Sequence, residues 1–255
     1  MEELLCNVDN GVAVVVINRP AQRNSMTLAM WRGIGELFWK LDADPAVRVI
    51  ILTGAGEDFS SGADITEFAA IRDDTAQAVA YEEAVDYGCG AIANVGKPVI
   101  AAIKGYCLGG GAHLAMSCDF RYAHEEAVFG IPAARLSIVY GVEGTRKLLA
   151  LVGVTQAKRI MYSAERFDAT HALSTGFVDR VSKAPREDAA EFASKLLANA
   201  PLSIRGAKYI LTATALGTFD PKEADRLINA ASASADYREG RAAFAEKRPP
   251  RFEGK

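Results

Sequence analysis

The sequence is short of the features that mark several large classes of protein. It has 4 cysteines in 255 residues, Cys6, Cys89, Cys107 and Cys118, and no two form a CxxC pair. So sparse a set argues against a disulfide scaffold and fits reduced thiols in a cytoplasmic compartment. No run of about 18 uncharged apolar residues occurs, so no membrane partner is expected. The first ten residues, MEELLCNVDN, lack the basic start and apolar run of a secretory signal. Charge of one sign is never concentrated. The formal net charge is -3, and no basic face points to nucleic acid. Walker A, GxSxG and HExxH sequences are absent, and His113, His124 and His171 lack metal-ligand spacing, so no metal site is expected.

What is present is core-forming material. Half the residues are hydrophobic, enough for one large domain with an appendage. Apolar runs flank Asp9-Asn10-Gly11, which predicts a hairpin with Val12 to Ile17 as a buried strand. Leu28, Trp31, Ile34, Leu37, Phe38 and Leu41 recur at helical spacing behind Thr27, a suitable N-cap. Strands are expected at Val47 to Leu52, Pro98 to Ile103, Phe120 to Ala123 and near Phe177 to Val181. Helices are expected up to about Asn94, from Gly109 to near Cys118, and through most of the chain beyond Glu187, with a break at Pro201. Strands alternating with helices argue for an α/β fold whose C-terminal part is helical.

Two strand-to-loop junctions stand out. One is Phe59 to Ile65 and the other Gly105 to His113, which contains Gly109-Gly110-Gly111. Glycines before a helix let a ligand approach the main chain, and the free amides of a helix start favour an anion. The same run is equally a tight turn. Gly54-Ala55-Gly56 also follows a strand, but the third glycine of a dinucleotide fingerprint is replaced by Phe59.

At these two junctions the sequence resembles the crotonase, or enoyl-CoA hydratase/isomerase, superfamily. Asn18-Arg19-Pro20 with Arg23-Asn24-Ser25, Ser61-Gly62-Ala63-Asp64-Ile65, Lys97 to Ala102, Gly105-Tyr106, Leu108 to Gly111, Phe129-Gly130-Ile131-Pro132 and Gly144-Thr145 follow in the family's order. Asp236 to Glu239, Phe244 and Glu246-Lys247-Arg248 resemble its C-terminal helix. The resemblance implies a spiral of ββα units over residues 1–190 and a helical trimerisation region over 191–255. It implies homotrimers, often stacked as hexamers, an acyl-CoA substrate, and no cofactor beyond the coenzyme A moiety. It assigns the backbone amides of Ala63 and Gly110 to the thioester oxygen. Arg23, Asn24, Asp64 and Ile65 fall at coenzyme A contacts. Lys247 falls where a neighbouring subunit reaches a phosphate. Arg23 and Lys247 read equally well as solvated cations.

One departure matters for the chemistry. Hydratases of this family carry two glutamates, and the matching positions here are His113 and Ala133. Without those carboxylates the usual general acid–base pair, worth roughly 10²–10⁴-fold per group, is missing. Three residues are candidates to replace it. His113 lies one turn past the glycines, where a helix start favours neutral imidazole, or it packs under the loop. Tyr140 stands where the similar methylmalonyl-CoA decarboxylase branch has a tyrosine, or belongs to the core. Glu143 opens a helix, where a carboxylate also serves the dipole. Arg135 could meet a substrate carboxylate but reads as a surface residue. The pairs Asp73-Asp74 and Glu82-Glu83 read as solvated helix faces, and the cysteines as small hydrophobes. The expected function is an acyl-CoA enzyme working through an enolate, nominally hydrating 2-enoyl-CoA. The alternatives are a decarboxylase or isomerase using His113 and Tyr140, and a non-catalytic acyl-CoA binding protein.

Overall fold

The computed structural model describes residues 3–255. The chain opens as a hairpin because Asn10 and Gly11 both take positive φ, 47° and 83°, as a two-residue turn requires. That turn joins β1 (Leu4–Asp9) to β2 (Val12–Ile17) in antiparallel register. Helix α1 (Leu28–Ala43) starts at Thr27, whose side chain accepts from the Met30 amide, and buries Met30, Trp31, Ile34, Phe38 and Leu41 as one stripe. Strand β3 (Val49–Gly54) pairs parallel with β2. A short α2 (Phe68–Ile71) and a long α3 (Thr75–Asn94), capped by Asp74, lead back to β4 (Val99–Ile103).

From β4 onward the chain repeats a strand in a large sheet, a strand in a small sheet and a helix. β4 passes to β5 (Tyr106–Leu108) and α4 (Gly110–Ser117). β6 (Phe120–His124) passes to β7 (Val128–Gly130), a 3-10 turn over Pro132–Leu136, and α5 (Val142–Ser163), which is broken at Gly153. β8 (Phe167–Asp168), α6 (Ala169–Thr175), β9 (Arg180–Ser182) and α7 (Pro185–Leu197) complete this part. The large sheet has the order β1-β2-β3-β4-β6-β9 and is parallel beyond the hairpin. The small sheet has the order β5-β7-β8. This is the α/β spiral of ββα units that the sequence led us to expect.

The large sheet is covered on both faces. Ile50, Leu52, Val99, Ala101 and Ile103 pack with the buried stripes of α1, α3 and α4. Val49, Ile51, Ile100 and Ala102 pack with Ala189 and Ala193 of α7. Such strands read as unbroken apolar runs, which is why they were visible in the sequence. The strand expected near Phe177 to Val181 is shorter than that. Phe177 and Val178 are buried, but their amides donate to the Ala172 carbonyl at the end of α6, and pairing begins only at Arg180.

The 190/191 division falls inside α7, a helix that covers the sheet. After it come α8 (Pro201–Leu216), α9 (Pro221–Ala233) and α10 (Ala235–Glu246). Pro201 stands at the first turn of α8, where its missing amide costs nothing. Lys208 anchors α8 to the core: its Nζ lies 2.9 Å from the Asp119 carboxylate and donates to the Lys97 carbonyl at 2.9 Å. Helices α8 to α10 enclose an apolar groove of about 860 Å³ that includes Phe244, which is 88% exposed.

Candidate active site

The two junctions singled out in the sequence meet in space. Ser60 and Cys107 form a parallel bridge, with the Ser60 amide donating to the Tyr106 carbonyl at 2.9 Å and the Leu108 amide donating to the Ser60 carbonyl at 3.0 Å. On its other side the same loop is stitched to Met26, whose amide donates to the Gly62 carbonyl at 2.8 Å and whose carbonyl accepts from the Asp64 amide at 2.9 Å. Gly62 has to be glycine. Its φ is 98°, and a Cβ there would sit 2.6 Å from the Leu108 oxygen and 2.9 Å from the Gly110 nitrogen. At Gly110 a Cβ would lie 2.9 Å from the Trp31 ring and 3.3 Å from the Ala63 nitrogen. The loop carrying Ala63 and the start of α4 at Gly110 therefore pack closely enough that a side chain at 62 or 110 would crowd the other's amide.

Among the described residues neither the Ala63 nor the Gly110 amide donates to a protein acceptor. Both residues line a cavity of about 130 Å³ walled by Trp31, Phe68, Tyr81, Val85, Ile131 and Leu136. A pair of unspent amides at one end of an apolar cavity can hold a carbonyl oxygen and stabilise negative charge as it develops there. The larger groove of α8 to α10 shares no residue with this cavity.

Of the replacement candidates, His113 and Tyr140 line the cavity. His113 is 3% exposed, and its Nε2 lies 3.3 Å from Lys147 Nζ, which also donates to Ser117 Oγ at 2.9 Å. Burial first, and the Lys147 ammonium second, push its pKa well below the ordinary imidazole value. The ring is therefore neutral, as expected, but its Nε2 lone pair is engaged and it is a weak base. The Tyr140 hydroxyl donates to the Gly109 carbonyl at 2.9 Å, its ring centroid 5.9 Å from that of His113. Burial raises its pKa well above that of an ordinary tyrosine. Its one proton thus steadies the Gly109 turn at the start of α4. Glu143 lies outside the cavity lining and pairs with Arg146 at 3.2 Å. Ala133 does line the cavity and presents a methyl group where a carboxylate was looked for.

The coenzyme A candidates divide in the same way. Asn24 is fully buried, and its amide is used up in the protein. Nδ2 donates to the Ala55 and Asp58 carbonyls at 2.9 and 2.6 Å, and Oδ1 accepts from the Arg19 amide at 2.9 Å. The side chain holds the loops together. Asp64 is also structural: it caps the turn at Thr66 and pairs with Arg19 at 2.8 Å. Burial raises its carboxyl, and the hydrogen bonds from Thr66 and Arg19 more than offset this, leaving it below the usual range. Ile65 is 61% exposed at the cavity mouth. Arg23 is exposed and stacks on Tyr106 at 5.0 Å, where Arg166 stacks as well at 5.1 Å. Arg166 was not foreseen, because nothing in its local sequence brings it to Tyr106. Lys247 is exposed at the end of α10, outside the cavity lining. Arg135, in the 3-10 turn, is exposed too.

One residue departs in part from its sequence reading. Glu83 is solvated as expected, while Glu82, whose side chain is 34% exposed, also lines the cavity. Arg72 Nη2 donates to its Oε1 at 2.8 Å. The two glutamates are separated by the roughly 100° that one residue turns on a helix. Among the described residues no group of three or more His, Cys, Asp or Glu is placed to hold a metal ion. Cys89, Cys107 and Cys118 are buried, and burial pushes the Cys89 thiol up to about 12.

Comparison with known proteins agrees with this geometry. The enoyl-CoA hydratase/isomerase family profile matches residues 7–255. A crotonyl-CoA hydratase of Syntrophomonas wolfei is 34% identical over 98% of both chains. A 2,3-dehydroadipyl-CoA hydratase of Escherichia coli is 32% identical over 100% of both. The crystal structure of an enoyl-CoA hydratase/carnithine racemase from Magnetospirillum magneticum superposes with a TM-score of 0.94 at 33% identity, covering 100% of this chain and 97% of that one. With a spiral of ββα units, two unspent amides on an apolar cavity and a family match along almost its whole length, this chain belongs to the enoyl-CoA hydratase/isomerase family.

Proposed function

We propose that the protein binds the coenzyme A thioester of a small acyl group, seats the carbonyl oxygen on the amides of Ala63 and Gly110, and transforms the acyl chain through the enolate. The observation that carries this is the pair of amides, unspent and adjacent, at the head of an apolar cavity. Removing a proton from C2 of a thioester puts negative charge on the carbonyl oxygen. A preorganised donor aimed at that oxygen is worth roughly 3 kcal/mol to the transition state. Outside the cavity, Arg23 and Arg166 set two exposed cations on the Tyr106 ring, where phosphate groups of coenzyme A can be met. Coenzyme A belongs to the substrate in this reading, and no other cofactor is called for. The exposed apolar groove of α8 to α10 is the surface we assign to contact between copies in a trimer or hexamer, which would carry Lys247 to a neighbour's phosphate. Among the described residues no helix is long and apolar enough to cross a membrane, and we assign the protein to the cytoplasm.

The test is deuterium incorporation at C2. Saturated and unsaturated acyl-CoA esters are incubated with the protein in D2O and read by mass spectrometry. Exchange above the buffer rate is expected for at least one short ester. An acyl-CoA binder without catalysis would bind the esters and exchange none. The relatives named as hydratases favour a second reading, addition of water to a 2-enoyl-CoA. It predicts loss of the enoyl absorbance of crotonyl-CoA at a rate comparable to that of a two-glutamate hydratase.

A further inference from the structure

Enolate chemistry needs a group that takes the proton and gives it back. None of the three expected replacements is well placed for this. His113 accepts from an ammonium, Tyr140 donates to the main chain, and Glu143 lies outside the cavity. Among the described residues that line the cavity there is one carboxylate, Glu82.

Its position is fixed by the same wall that fixes the oxyanion amides. The Trp31 ring packs beside Gly110, and Trp31 Nε1 donates to the Tyr81 hydroxyl at 2.9 Å. Glu82 is the next residue on α3. Arg72 donates to its Oε1, and among the described residues no donor meets Oε2. Oε2 lies 3.2 Å from the point where a Cβ on Gly141 would begin, and Gly141 also lines the cavity. Any other residue at 141 would press on that oxygen, so the glycine keeps a space open in front of it. One turn further along α3, Asp86 Oδ1 lies 3.9 Å from the same point. That atom is buried and has no hydrogen-bond partner among the described residues. The charged groups around the pair are Arg72, between α2 and α3, and Glu143 and Lys147 from α5. Burial raises the Glu82 carboxyl above its ordinary value, Arg72 works against this, and Asp86 adds to it. Burial and Glu143 raise Asp86, against Lys147. A carboxylate whose pKa moves toward neutrality can both accept and return a proton.

We propose that Glu82 is the catalytic proton carrier of this site. This rests on the enolate reading above. Oε2 takes the proton from C2, and the C2–H electron pair passes into the enolate, whose oxygen is held by Ala63 and Gly110. Glu82 then returns the proton to carbon as the carbonyl re-forms, which restores the carboxylate. No water or co-reactant is consumed. Asp86 is a positioning residue that acts through Glu82.

The experiment measures C2 deuterium exchange into butyryl-CoA in D2O by the wild type, Glu82→Gln, Glu82→Asp and Glu83→Gln, with butyryl-CoA binding followed by calorimetry. Glu82→Gln is expected to lower kcat about 10²–10⁴-fold with binding retained. It should also remove the acidic limb of the kcat–pH profile. Glu82→Asp should keep that limb at a reduced rate, and Glu83→Gln should match the wild type. Wild-type turnover that survives in Glu82→Gln overturns this proposal and leaves the enolate reading standing. Loss of butyryl-CoA binding in step with kcat in both Glu82 variants also overturns it, because Glu82 would then be only a structural partner of Arg72. A wild type that moves no proton on any ester overturns both.

Discussion

Lys147 Nζ stands 3.3 Å from His113 Nε2, so a buried ammonium donates to a buried imidazole. The arrangement fixes the tautomer, with the ring proton on Nδ1, and makes a second positive charge on the ring costly.

A pH dependence of stability follows. The folded pKa of His113 is depressed by burial and then by Lys147. The unfolded chain binds the proton near pH 6.5, and the native protein does not. This group's contribution to stability is therefore fully present above pH 6.5 and is lost as pH falls below it, at a limiting slope of about 1.4 kcal/mol per pH unit. Urea denaturation of wild type and His113→Gln at several pH values between 7 and 5 checks it. The difference between the two should shrink in the wild type's disfavour as pH falls.

Gly110→Ala should abolish turnover while leaving coenzyme A recognition in place. The new methyl would begin 2.9 Å from Trp31 and 3.3 Å from the Ala63 amide, which is the space the thioester oxygen needs. A fall in kcat/KM of roughly 10²-fold or more is expected on whichever ester the wild type turns over. Calorimetry with free coenzyme A should show affinity unchanged.

Tyr140→Phe keeps the ring and removes the donor to the Gly109 carbonyl. That carbonyl still accepts from the His113 amide at 3.1 Å, so the cost should be at the lower end for a lost buried hydrogen bond, about 1 kcal/mol. A thermal melt reads the stability. The kinetic expectation is a moderate loss of kcat that does not change with pH, since the tyrosine steadies the loop and does not titrate.

Phe244→Asp tests the C-terminal groove. Phe244 is 88% exposed, and Leu211, Ile228 and Tyr237 on α8, α9 and α10 are at least half exposed. A charge at this position should shift the protein to a smaller species in light scattering. Secondary structure by circular dichroism should be retained, because the side chain has little to lose within its own chain.

The strands and helices were legible because their signals are local. Thr27 caps α1 from one residue away, and Val49 to Leu52 reads as a strand from its own composition. The meeting of the two junctions was legible because glycine at 62 and 110 leaves a mark in the sequence even when the amide itself does not. Asn24 was harder. Its partners Ala55 and Asp58 are 31 and 34 residues away, so its loop-tying role depends on contacts that no local pattern records. Glu82 was read only in part for a related reason. Periodicity puts it beside the buried stripe of Tyr81, Val85 and Cys89, but whether that border faces water or a cavity depends on Gly141 across the gap. Glycine at 141 is the signal that could have pointed to it, had the pairing of α3 with the start of α5 been known.

In the enolate reading the groups that receive the carbonyl oxygen are main-chain amides, and the groups that meet the rest of the acyl chain are side chains. The two therefore answer to different kinds of genetic change. A base substitution can rewrite His113, Ala133, Tyr140 or Glu82 one at a time, yet it cannot delete the N–H of Ala63 or Gly110 short of introducing proline. A lineage built on this plan can exchange its proton-handling apparatus in single steps while activation of the thioester passes intact from ancestor to descendant.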